Sequence, residues 1–256
     1  MRTLPHSYEY ERIADIKRLR FIADSLQELP ASSQVLDVGC GNGVISRYLG
    51  QLGYNVLGID VSAKTIETAN ARNQLPNVRF ETISAEALTA QGQRYDAVIC
   101  SEVLEHLQEP EQLLRTLYTS LKDQGILIVT VPNGQGPREL CVTRPMLKAR
   151  NNKVLWPMIC QAKRLLGFRG TTVQSAADNL DHVQFFTRRD LRALAQRSQF
   201  CIVRFAKSNF VEDVFPFSLL TKRLRFLQAW DCLVAEWLPY GCTGGFHTIW
   251  RKTKAL

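Results

Sequence analysis

No two of the seven cysteines stand at C-x-x-C spacing. That removes a cysteine zinc site, and an odd, scattered set argues for a reducing compartment over a disulfide framework. No run of about 18 apolar residues is present, so no transmembrane helix is expected. Met1 to Glu11 is polar and lacks the apolar core of a secretory leader. These absences predict a cytoplasmic protein, with peripheral contact at the inner membrane face as the one membrane option left. Internal repeats and low-complexity tracts are missing too, which excludes solenoids and disordered linkers.

What is present suits a folded α/β chain. Over 256 residues, hydrophobic side chains make up 45% and charged ones 22%, enough to bury one large core. The expected organisation is a single domain over 1–256, with an N-terminal helix across 9–29 and a lid-like insertion over 134–181. The net charge is +8, and Arg138–Arg169 holds eight basic residues against one acid, Glu139. A basic surface suits an anionic partner such as a phosphorylated substrate, nucleic acid or a membrane leaflet. A solvated basic face is the competing reading.

Short apolar runs alternate with helical spacing. A helix is predicted over Ile13–Leu29, stopped by Pro30. Strands follow at Val35–Val38, Asn55–Ile59, Asn77–Phe80, Tyr95–Cys100 and Gly125–Val131. Helices are expected at Val44–Leu52, Ala63–Gln74 and Pro110–Leu121. This alternation implies right-handed crossovers and a mostly parallel sheet covered on both faces. Gly134–Asp181 breaks the rhythm and reads as an insertion, helical around Lys148–Leu166. Thr187 caps a helix Arg188–Ser198, with Asp190 at its third position. A strand at Phe200–Ala206, a long helical stretch at Phe217–Leu238 and a strand at Gly245–Arg251 complete the chain. Trp156–Ile159 among Lys148, Arg150, Lys153, Lys163 and Arg164, and Phe215–Trp237 with Lys222, Arg223 and Arg225, interleave apolar and basic residues, which suits a lid over an anionic substrate or a surface helix on an acidic membrane. Packing on the sheet is the favoured reading for Phe217–Leu238, where a crossover helix is needed, and both readings stay open for Trp156–Leu166.

Gly39-Cys40-Gly41-Asn42-Gly43 joins the first strand to a helix. Glycines there allow positive φ and close approach of backbone to a ligand. The spacing is G-x-G-x-G, not the dinucleotide pattern G-x-G-x-x-G. Asp37, two residues before Gly39, would repel a pyrophosphate, which disfavours a nicotinamide oxidoreductase. A ligand bearing an ammonium or sulfonium would suit it. Asp60 ends the second strand about 21 residues past Gly39, where an acid can receive ribose hydroxyls. Ser84-Ala85-Glu86 follows the third strand, where an acid can meet an adenine amino group.

These segments, Val35–Gly43 (VLDVGCGNG), Gly58–Ser62 (GIDVS), Ser84–Leu88 and Tyr95–Pro110 (YDAVICSEVLEHLQEP), resemble the successive motifs of class I S-adenosylmethionine-dependent methyltransferases. His182–Phe200 is similar to the approach to the sixth strand in bacterial small-molecule members. The resemblance implies a Rossmann-like three-layer sandwich with a seven-stranded, mostly parallel sheet whose last strand, Gly245–Arg251, is antiparallel. It implies that Asp37, Gly39 and Gly41 face the methionine part of S-adenosylmethionine, and Asp60 its ribose. Ala85 and Glu86 would face the adenine, with Cys40, Val61 and Ser101 also beside the cofactor.

On a helical turn Glu102 would lie next to Glu105 and His106, at i+3 and i+4. Two carboxylates and an imidazole can hold a divalent cation. The segment resembles the E-x-x-E-H motif of ubiquinone-pathway O-methyltransferases and of small-RNA 2′-O-methyltransferases. The RNA enzymes add a distal histidine in an Asp-His…Phe context, which Asp181, His182 and Phe185 resemble. That resemblance implies Mg²⁺ held by Glu102, Glu105, His106 and His182. Without a metal, His106 serves as a base or a packing residue. The expected function is methyl transfer to a hydroxyl of a small molecule: a quinone precursor, a sugar or a lipid-linked intermediate. RNA 2′-O-methylation and a non-catalytic partner subunit are the alternatives. No RNA-binding signature appears, and the acids at Asp37, Asp60 and Glu86 speak against the last.

Overall fold

The computed structural model describes residues 9–150, 156–158, 161, 182–212, 214, 217–221 and 224–253. Five strands alternate with helices in the first half: β1 (Gln34–Val38), β2 (Asn55–Asp60), β3 (Val78–Thr82), β4 (Tyr95–Ser101) and β5 (Leu121–Pro132). Helix α1 (Ile13–Ser25) precedes β1. Between strands lie α2 (Val44–Gln51), α3 (Ala63–Arg72), α4 (Ala85–Thr89) and α5 (Pro110–Ser120). A π-helical turn, Glu139–Thr143, runs into α6 (Arg144–Arg150). The chain closes with α7 (Arg188–Arg197), β6 (Phe200–Lys207), α8 (Phe217–Thr221), α9 (Arg225–Trp237) and β7 (Gly245–Lys252). The sheet order is β3-β2-β1-β4-β5-β7-β6, with β7 antiparallel to both neighbours and the first five strands parallel.

Strand side chains alternate between two apolar layers, because successive residues point to opposite faces. Leu36, Val98, Leu127 and Val129 pack with Leu114 and Leu117 of α5 and Leu191 of α7. Val35, Ala97, Ile99 and Ile128 pack with Leu19, Ile22 and Leu26 around α1, and with Ile45 and Leu49 of α2. Both faces are covered, so the strands read as apolar runs without clean alternation. Leu36 is fully buried, and truncating it to Ala would cost about 2–5 kcal/mol. The α7 start is a capping box: Thr187 and Asp190 exchange side-chain-to-backbone hydrogen bonds, as the sequence predicts.

Two expectations about one helix need correction, and one expectation lies mostly outside the described residues. The helix predicted over Phe217–Leu238 is two helices, broken by extended backbone at Leu224 (φ −126°, ψ 93°). Its second half does not pack its apolar residues on the sheet, as shown below. The predicted insertion helix Lys148–Leu166 is described as far as Arg150, and most of its remainder lies outside the described residues. So do Asp181, Phe215, Lys222 and Arg223.

Candidate functional site

The parallel strands end together at one edge, where binding loops of such sheets collect. Gly39, Gly41 and Gly43 adopt φ of 68°, 56° and 77°, left-handed values that a Cβ disfavours. A Cβ on Gly39 would also meet Val103 Cγ2 at 2.5 Å. Backbone N–H groups of Gly39 and Cys40 both donate to Ile59 O, at 2.9 and 3.0 Å. Gly41 N–H donates to Asp60 Oδ2 at 3.1 Å, and Ser62 N–H to Asp60 Oδ1 at 2.9 Å. These donors are therefore turned inward onto the protein. An anion cradle needs them turned out toward the ligand.

Asp37 is buried and accepts a 2.6 Å hydrogen bond from Ser46 Oγ. Burial, partly offset by that bond, pushes its carboxyl up to about 7. A cation arriving beside it would favour the ionised form. Asp60 is partly exposed and Val61 beside it is exposed. Ala85 is buried at the start of α4, and Glu86 is exposed in that helix's first turn, behind the Ser84 cap. The Cys40 thiol is buried and pushed up by burial and by Asp37, so it is no nucleophile. Ser101 is buried and shares a 2.9 Å hydrogen bond with Thr130.

Beyond β4 the chain departs from the expected helical turn. Glu102 takes φ 58°, and only Leu104–His106 forms a short 3₁₀ turn. Glu102 therefore swings away: Thr130 Oγ1 donates to its Oε1 at 2.9 Å, and Arg18 Nη1 lies 3.7 Å from its Oε2. The i+3 and i+4 argument that grouped Glu102 with Glu105 and His106 fails on that dihedral. The other three residues do come together. Val183 and Gln184 N–H groups donate to Glu105 O at 2.8 and 3.0 Å, docking the 182–187 segment on the turn. This sets the His182 ring edge-on to His106, with centroids 5.2 Å apart. Ligand atoms of Glu105, His106 and His182 all lie within 4.8 Å of one another.

A fourth residue joins them. Glu139, buried in the π-helical turn, places Oε1 3.3 Å from His182 Nδ1. Although burial opposes its charge, His182 holds the Glu139 carboxyl below its usual range. Burial, with Glu102 nearby, pushes Glu105 well above that range. Glu105 Oε2, both Glu139 oxygens and His182 Nδ1 are buried without a well-formed hydrogen bond. Buried polar atoms left in this state are costly, and a cation among them would satisfy several at once. Two imidazoles and a carboxylate are a donor set suited to a transition ion as much as to Mg²⁺, which prefers oxygen. The signal for Glu139 lay in its being the one acid among the basic residues of Arg138–Arg169. His247 is buried in β7 against Phe21, and burial pushes it down to about 3, a neutral core residue.

A methyltransferase-domain family matches residues 8–204. The ubiquinone biosynthesis O-methyltransferase of Albidiferax ferrireducens is 38% identical over 107 residues, 40% of this chain and 42% of that protein. The enzyme of the same name from Cupriavidus pinatubonensis is 35% identical over 129 residues, 49% of this chain and 51% of that one. The chain thus spans about half the length of the curated relatives it matches. Among solved structures, Burkholderia thailandensis 1,6-didemethyltoxoflavin-N1-methyltransferase, with 1,6-didemethyltoxoflavin and S-adenosylhomocysteine bound, superposes with TM-score 0.57 at 16% identity. That match covers 95% of this chain and 80% of that one. The Synechocystis magnesium protoporphyrin IX methyltransferase gives 0.52 at 20% identity, covering 94% and 82%. At such identities these two establish a shared fold.

Proposed function

The chain belongs to the methyltransferase-domain family, whose class I members use S-adenosylmethionine, and from that premise we propose that it methylates a hydroxyl of a small-molecule acceptor. The observation that carries the acceptor reading is the Glu105, His106 and His182 cluster at the same sheet edge as the glycine loop. A hydroxyl must lose its proton as its oxygen is alkylated, and this cluster supplies the groups to take it. A quinone precursor, a sugar or a lipid-linked intermediate fits the class.

The loop fits S-adenosylmethionine: its left-handed glycines let backbone approach a ligand closely, and Asp37 and Asp60 set negative charge beside it. When bound, that cofactor supplies an electrophilic methyl group on a sulfonium. Asp37 holds the cationic end and Asp60 the ribose hydroxyls, while Ala85 and Glu86 flank the adenine. Gly41, Cys40, Val61 and Ser101 complete the walls. His106 takes the acceptor's proton on its imidazole, and Glu105 Oε1, 3.8 Å from Nε2, lies beside the charge that then forms. Alternatively, Glu105, His106 and His182, with Glu139 behind His182, would hold a divalent ion that lowers the acceptor hydroxyl's pKa in place of His106 acting as base. Most of the acceleration comes from holding acceptor oxygen and methyl carbon in line.

A second reading, methylation of an RNA ribose 2′-hydroxyl, draws on His182 joining the cluster and on the +8 net charge. Release of S-adenosylhomocysteine with cell extract, before and after nuclease, separates the two. Turnover that survives nuclease supports the small-molecule acceptor, and turnover abolished by it supports RNA.

A further inference from the structure

Helix α9 is inside out. Its buried residues are Gln228, Asp231, Cys232 and Ala235, mostly polar or small. Its exposed apolar residues are Phe226, Trp230, Leu233 and Trp237, one stripe at i, i+4, i+7 and i+11, with the charged Arg225 and Glu236 exposed at its edge. Trp230 is 65% exposed and Trp237 90%, so neither is packed into the described residues. The stripe is about 16 Å long at 1.5 Å per residue. Phe217, Leu219, Leu220 and Leu224 of the preceding segment are exposed as well. Single exposed apolar residues are ordinary, whereas a row of this size marks an interaction surface.

The inward face explains why the helix sits this way round. Asp231 accepts hydrogen bonds from Phe210 and Val211 N–H, both at 2.8 Å. Gln228 accepts from Ile13 N–H at 3.0 Å and donates to Thr221 O at 2.8 Å. The other acid of α9, Glu236, pairs with Lys17 at 2.6 Å. Asp231 is thus turned into the protein, and Glu236, exposed at the edge of the apolar stripe, has its charge met by Lys17. At its N-terminal end Arg225 is exposed, and in sequence Lys222 and Arg223 precede it.

We propose that α8 and α9 dock this protein on the surface of an anionic bilayer. Tryptophan, phenylalanine and leucine on one face with basic residues at its edge is the chemistry of an interfacial helix. The chain's +8 charge complements anionic headgroups. The same charge opposes a second copy, which would bring Arg225 toward another +8 molecule. No described helix is long and apolar enough to cross a membrane, so the contact is with the surface. Helix α1 connects this face to the site: it holds α9 through Ile13 and Lys17, and Glu102 through Arg18. The docking stands independently of which acceptor is methylated.

The test is co-sedimentation of the full chain with phosphatidylcholine vesicles, with and without phosphatidylglycerol. Wild type is expected to bind the phosphatidylglycerol vesicles. Trp230→Ser with Trp237→Ser should weaken this about tenfold or more, and Arg225→Gln about fivefold. Both tryptophans are exposed, so melting temperature and S-adenosylmethionine affinity should hold. Should the double variant melt early, wild-type tryptophan quenching by brominated phosphatidylglycerol decides, with no quenching overturning the proposal. Wild type staying in the supernatant, or a double variant that binds as well as wild type, also overturns it. A dimer that the double variant abolishes, with no vesicle binding, assigns the face to a second copy and does the same.

Discussion

His182 and Glu139 meet at 3.3 Å, Nδ1 to Oε1, although Glu139 lies near the start of the segment that interrupts the α/β alternation and His182 directly follows its end. Their meeting sets Glu139 behind the His182 ring that faces Glu105 and His106.

If that constellation holds a cation, protein stripped with chelator should take up one equivalent of divalent ion per chain in titration calorimetry. His182→Ala should weaken uptake about tenfold or more, and Glu139→Gln, which removes the charge behind His182, within about tenfold to a hundredfold. Glu102→Gln should change it little, because Glu102 is engaged by Thr130 and Arg18. Activity surviving both EDTA and His182→Ala removes the metal and leaves His106 to act alone.

Asp60→Ala should lower S-adenosylmethionine affinity by about a hundredfold or more. Two hydrogen bonds to a charged acceptor at about 1.5–3 kcal/mol each account for that. Asp60 also holds the Gly41 and Ser62 N–H groups, so Asp60→Asn, which keeps acceptor capacity, should fall between. Calorimetry giving wild-type affinity for Asp60→Ala sinks the ribose assignment.

Asp37 predicts two opposite pH trends. Its carboxyl ionises near 3.8 when unfolded and near 7 when folded. Between those values the folded state binds more protons, so ligand-free stability from this group falls as pH rises through the window. A cationic ligand favours the ionised form, so S-adenosylmethionine should bind more tightly as pH rises from 6 to 8, with proton release below 7. Asp37→Asn should flatten both trends. Stability and affinity that follow wild type across that range in Asp37→Asn contradict the assignment.

Gly39→Ala should destabilise the fold by about 1–3 kcal/mol, from the left-handed φ and the clash with Val103. Urea denaturation measures this directly, and a neutral substitution would mean the loop is not held as described.

The sheet was legible because apolar runs between helix signals carry the strands, and Thr187 with Asp190 marks a helix start outright. The helix Ala85–Thr89 went unread, since five residues are too few for periodicity, although Ser84 capping Ala87 N–H was a local sign of it. Glu102 was misplaced because spacing assumes helical backbone and its φ is left-handed. Helix α9 was read with its apolar face inward, since periodicity locates a stripe without saying which side it faces. Asp231 and Gln228 decided that by satisfying backbone groups of the chain beside them. Glu139 was legible only as an anomaly of charge, and its burial depends on a turn that brings it to His182.

The most direct test of the central claim supplies methyl-labelled S-adenosylmethionine with metabolite, lipid and RNA fractions, and follows the label by mass spectrometry. The account predicts a methyl gain on an oxygen of a small molecule or lipid, lost in His106→Ala while S-adenosylmethionine binding persists. Label confined to RNA, or transferred undiminished by His106→Ala, contradicts it.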